Sequence, residues 1–60
     1  MCLSTVYSRT KDSENVLMSN VMRVDCKDNK IILTDLLGRQ ITVDGSIALA
    51  DLNNDFIIVK

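Results

Sequence analysis

The chain has 60 residues, seven basic and eight acidic side chains, a formal charge of −1, and no histidine, proline or tryptophan. That balance leaves no basic stripe for tracking a nucleic-acid backbone, and the missing histidine removes the commonest general base and metal ligand. Sixty residues make one domain at most, spanning 1–60. Such a chain buries only about 60% of its unfolded surface and leans on a staple or a partner.

Alternation with a period of two dominates, which is the strand signature. Thr5-Val6-Tyr7 opens a first strand, expected to run from Cys2 to Ser8, and RTKDSEN follows as a polar loop. VLMSNVMRVDCK reads as an approach followed by a second strand. Met22, Val24 and Cys26 then share one face, and Arg23, Asp25 and Lys27 the other. Asp28 and Asn29 both tolerate positive φ, so a two-residue hairpin turn is predicted before KIILTD. Gly38 turns the chain into QITVD, with Ile41 and Val43 inward, and Asp44-Gly45 ends that strand. SIALADL fits either a short strand or a helical turn, and Asn53-Asn54 leads into the last strand, DFIIVK. Five or six short strands without a useful amphipathic helix predict an all-β fold, a small SH3-like barrel.

There is no linker, repeat or low-complexity segment. No basic n-region followed by an apolar h-region marks a signal peptide, and no run of 18 apolar residues marks a membrane span. The expected compartment is the reducing cytoplasm, where a cysteine is structural, catalytic or metal-binding. Two strands are apolar on both faces. Phe56 and Ile58 point one way and Ile57 and Val59 the other, and Ile31, Ile32 and Leu33 repeat the pattern. A strand of that kind needs two covers. Either a second copy supplies the outer one, making a homodimer, or the loop at 10–20 folds over it.

Cys26 alternates with Met22 and Val24, so it is expected in the core as a small hydrophobe. Cys2 differs because it sits beside the α-amino group. An α-amine titrates at about 7.7–8, against ~10.4 for lysine, so much of it is a usable ligand near neutral pH. The thiol is deprotonated by the metal it binds. If Met1 is removed, Cys2 offers its own amine and sulfur in a five-membered ring. If Met1 is kept, its amine, the Cys2 amide nitrogen and the Cys2 sulfur line up. One chain then offers two or three donors, and two chains about a two-fold axis offer two sulfurs and two nitrogens. A planar set of that kind suits Ni(II) or Cu(II) better than zinc. Structural and redox roles for Cys2 stay open beside this one.

The remaining candidates are weaker. Met18 and Met22 read as core filling rather than soft ligands. Asp28, Asp44 and Asp55 sit where turns want them, whereas Asp35 and Asp51 read as structural or solvated without an evident turn role. Gly38 and Gly45 belong to no phosphate-binding motif. Without histidine no Ser/His/Asp or Cys/His arrangement exists, so no enzyme is expected. An N-terminal cysteine nucleophile would need an oxyanion hole and a substrate pocket that 60 residues barely enclose.

Met1-Cys2, VY in the first strand, NVMRVDCKDNKIILTDLLGRQITVDGSI and ADLNNDFIIV together resemble the small CooT-like nickel-binding family over essentially the whole chain. The most specific stretches are Met1-Cys2, DNKIILTDLLG and DLNNDFIIV. The resemblance implies a cytoplasmic, homodimeric SH3-like barrel that binds Ni(II) through Cys2 and serves carbon monoxide dehydrogenase maturation. Such proteins have also been labelled predicted RNA-binding proteins, which keeps a small RNA- or protein-binding barrel as the alternative. Balanced charge and only two aromatics, Tyr7 and Phe56, speak against nucleic acid.

Overall fold

A computed structural model describes residues 3–60. Six strands follow one another: β1 (Ser4–Ser8), β2 (Val16–Lys27), β3 (Lys30–Asp35), β4 (Gln40–Asp44), β5 (Ile47–Asp51) and β6 (Phe56–Val59), with one 3₁₀ turn at Ser13–Asn15. They make a single sheet in the order β4-β3-β2-β1-β6-β5, in which only the β1–β6 pair is parallel. The all-β expectation holds, and SIALADL supplies a strand rather than a helical turn. The first strand begins at Ser4, later than the expected Cys2. The barrel itself does not close. Among the described residues no ladder joins the edge strands β4 and β5, although only Gly45 and Ser46 separate them in the chain.

The curvature is written into β2, which is a single 12-residue strand rather than an approach and a strand. Its register slips twice against β1, between Ser4 and Val6 and between Val6 and Tyr7, and once against β3, between Val21 and Arg23. Each slip inserts an extra residue on β2, which bends the strand and raises its twist. Asn20 lies at the bend with φ 55°, a conformation that asparagine tolerates better than most residues. The slips also reset the alternation. Val21 is buried while Met22 is 50% exposed, so Met22 does not share the core face with Val24 as the alternation predicts.

The core lies in the concave side of the sheet: Val6, Val21, Ile31, Leu33, Ile57 and Val59, with Leu17, Met18, Val24, Ile41 and Val43 packed around them. Val6, Ile31 and Leu33 are fully buried, each worth about 1.5–3 kcal/mol of apolar transfer. Cys26 is a second correction. It pairs with the buried Ile31 and so lies on the expected face, but it is exposed, because β2 runs past the core to the hairpin tip. Alternation assigns a face without assigning depth.

The turns follow their chemistry. Asp28 and Asn29 adopt φ 52° and 61°, as a type I′ hairpin requires. Below that turn Lys30 Nζ meets Asp44 Oδ1 at 2.6 Å. Ile57 and Val59 point into the core, and the opposite face of β6 continues an outer apolar row. Leu49, Ile58, Tyr7 and Val16 stand side by side on β5, β6, β1 and β2. Of the 10–20 segment expected as a loop, residues 16–20 belong to β2, and Lys11 reaches the Phe56 ring on this face. The ammonium of Lys11 lies 4.3 Å from the centre of the Phe56 ring, and Tyr7 meets Phe56 edge-on at 6.3 Å.

Candidate metal centre

Met1 and Cys2, the residues singled out as ligands, lie outside the described residues. The frame they join is well defined. Ser4 opens β1 opposite Val21 of β2, and the Thr5 amide donates to the Asp55 carbonyl at 3.1 Å. The start of β1 is thus held between β2 and the residue that leads into β6.

A groove of ≈ 380 Å³ opens beside this point. Val21 and Ile57 form its buried lining and Met22 and Leu52 its exposed lining, with Leu52 left 79% exposed. Arg23 and Asp55 also line it. Arg23 is drawn toward Asp25, to which its Nε and Nη2 donate at 2.9 and 3.3 Å. Asp55 takes φ 57°, which swings the chain into β6.

The other candidate donors are dispersed. Cys26 lines a separate hollow with the β2–β3 turn and the Gly45-Ser46 corner, and that hollow shares no residue with the groove. Met18 lines a third hollow, away from Met22, so the two methionines do not form a paired soft site. Among the described residues no three His, Cys, Asp or Glu side chains come together to hold a metal ion.

Asp35 and Asp51, which had no evident role in the sequence, each organise a turn. Asp35 is buried, and its Oδ1 accepts from the amides of Leu37 and Arg39, both at 2.9 Å. Its Oδ2 accepts from Arg39 Nε at 2.7 Å. Burial pushes the Asp35 carboxyl up, but the Arg39 amide, the Arg39 side chain and the Leu37 amide outweigh it and hold it below the ordinary value. Asp51 accepts from the Asn53 and Asn54 amides at 3.0 Å and from Asn54 Nδ2 at 2.9 Å, and the Asn54 side chain leads in lowering its carboxyl. The Lys30 ammonium lowers Asp44 in the same way. These carboxylates are committed to turns and ion pairs. The groove escaped sequence reading because its walls come from β1, β2, β6 and the β5–β6 turn. The one local hint was Leu52, an apolar residue inside an Asx turn that projects it outward.

A family model described as CO dehydrogenase accessory protein CooT matches residues 1–60, the whole chain. No curated protein matches it.

Proposed function

Because the chain belongs to the family of CO dehydrogenase accessory protein CooT, we propose that it carries Ni(II) as cargo for maturation of a carbon monoxide dehydrogenase-type nickel enzyme. Cys2 supplies the thiolate, and the terminal nitrogens of Met1 or Cys2 complete the chelate. Two copies about a two-fold axis make up the four donors. The protein acts in the cytoplasm as a metallochaperone or store and not as an enzyme.

The observation that carries this reading is the whole-chain family match in a sequence that places a thiol beside its α-amine. The donor chemistry supports it. Thiolate and amine nitrogen form a compact, strongly donating set that favours a tetragonal divalent ion. Among the described residues Asp35, Asp44 and Asp51 are engaged in turns and ion pairs, and Cys26 lines a separate hollow. A site built at a chain end suits handover, because a recipient's ligands can replace two or three donors one at a time. No helix of the described residues is long and apolar enough to cross a membrane.

Nucleic-acid binding is disfavoured at the one aromatic cluster. The Phe56 ring carries Lys11 on its face and meets Tyr7 edge-on, which leaves no open pair of rings for stacking bases. Equilibrium dialysis of the reduced protein against Ni(II) tests the proposal. The wild type retains nickel and Cys2→Ser does not, and full retention by the variant removes the central claim.

A further inference from the structure

The sheet ends in two edge strands, β4 and β5, and they are not alike. Against β6 the register of β5 slips between Ile47 and Leu49, and an irregularity of that kind spoils an edge as a template for pairing. Against β3, β4 keeps one register from Lys30–Asp44 to Thr34–Gln40. It carries no proline, no lysine and no bulge, the devices that commonly blunt an edge.

The phase of β4 follows from its two ends. The Asp35 amide donates to the Arg39 carbonyl at 2.9 Å, and the Gly45 amide to the Asn29 carbonyl at 2.8 Å. Hydrogen-bonded and open pairs alternate in an antiparallel ladder, so Ile41 and Val43 turn their amides and carbonyls to β3. Those of Gln40 and Thr42, and the amide of Asp44, point away from the sheet. Among the described residues no ladder receives them.

The space beside this edge is shaped as well. β2 meets β3 only from Val21 onward, so its first residues have a ladder with β1 alone. A hollow of ≈ 610 Å³ lies where the barrel stays open, lined by Leu17, Met18 and Ile41 together with Asp35 and Arg39. The Arg39 Nε is committed to the buried Asp35 carboxylate, which orients the guanidinium while its side chain stays 73% exposed.

We propose that β4 is a docking edge for an extended segment of a partner protein. The segment adds as a further strand, places an apolar side chain in the hollow and sets a carboxylate against Arg39. Main-chain pairing supplies the affinity, and the apolar and acidic side chains supply the selectivity. A second copy of this chain is a poorer occupant. Its own Ile41 and Val43 are packed against its own core, so two paired β4 strands would leave both hollows empty. The proposal does not depend on nickel.

Amide chemical shifts and hydrogen exchange of the isotope-labelled, reduced full-length protein test this. The probe is a blocked heptapeptide with threonines on one face and glutamate, valine and valine on the other. It is expected to bind with a dissociation constant below about 1 mM, to shift the amides of Gln40, Thr42 and Asp44, and to slow their exchange by roughly tenfold or more. A lysine in place of the glutamate weakens binding by roughly fivefold or more, and an N-methylated peptide, which has no amide donors, does not bind. Thr42→Pro removes an outward amide and spares the bonds to β3, so it stays folded by circular dichroism and loses the peptide. No binding by the wild type at about 5 mM peptide overturns the proposal. Equal binding of the N-methylated peptide, equal binding by Thr42→Pro, or protection at Ile47 and Leu49 of β5 instead of at β4 does so too. Protection of Gln40 and Thr42 that grows with protein concentration in the absence of peptide gives the edge to a second copy and overturns the choice of occupant.

Discussion

Asp35 and Arg39 meet at 2.7 Å across the β3–β4 turn, the carboxylate buried and the guanidinium largely in water. The buried side chain is held by two amide hydrogen bonds as well as by its ion pair, so it acts as the staple of the turn. These contacts keep its carboxyl below the ordinary 3.8 in the folded chain. A carboxyl lowered on folding contributes stability that is complete above its unfolded value and is lost as pH falls through the folded one. Acid unfolding should therefore set in below about pH 4. Asp35→Asn keeps an oxygen for the two amides and should weaken this acid dependence with a modest loss of stability. Asp35→Ala leaves two amides without their acceptor and should cost more. Thermal melts of the three proteins between pH 2 and 7 check the order, and equal melting temperatures for Asn and Ala would contradict it.

Gly45 takes φ 129° and packs against the Lys60 backbone, so a Cβ there would run into the Lys60 carbonyl. The same corner is tied by Gly45 N–H to Asn29 C=O at 2.8 Å and by reciprocal bonds between Ser46 and Lys60. Gly45→Ala should lose about 1–3 kcal/mol from backbone strain and displaced contacts. In a domain this small each kcal/mol moves the melting temperature by about 4–8 °C, so a calorimetric scan resolves the loss. Gly38, with nothing near its own would-be Cβ, should cost less when changed to alanine, although its φ of 85° still strains the backbone.

Cys26 is exposed at the end of β2, away from the groove beside β1. In a Cys2→Ser background its thiol should react with an aromatic disulfide reagent at the same rate in native buffer and in denaturant, within roughly tenfold. Protection by several orders of magnitude would restore the core placement that alternation suggested. Cys26→Ser should change stability by less than about 0.5 kcal/mol, as surface substitutions generally do, and leave nickel binding intact.

Much of the fold was legible because period and turn chemistry agree. Asp28-Asn29 announces a two-residue hairpin turn, whereas β6, apolar on both faces, needed the structure to show that Ile57 and Val59 are its inward pair. What alternation could not supply was the slip at Met22, since a bulge there needs neither glycine nor proline and leaves no compositional mark. The roles of Asp35 and Asp51 were hidden for a related reason. Their spacing to Gly38 and to Asn53-Asn54 fits an Asx-type turn, but the same spacing suits a solvated carboxylate. Of the candidate site, Cys2 was legible through its covalent neighbour, whereas the groove exists only once three distant segments are folded together.

Nickel binding should depend steeply on pH. Both the thiol and an amine or amide must give up protons to the solvent, so affinity falls on acidification. Between pH 8 and 6 the half-saturating nickel concentration should rise by at least tenfold per proton coupled, measured by competition with a chelator of known pH dependence. A pH-independent affinity would point to carboxylate ligands in place of Cys2 and its nitrogens.

The most direct test of the account is a Ni(II) titration of the reduced wild type followed by near-ultraviolet absorption, with Cys2→Ser in parallel. The account predicts a sulfur-to-nickel charge-transfer band that saturates at one nickel per two chains and is missing from the variant. A band of equal strength in Cys2→Ser, or no band in the wild type, would contradict it.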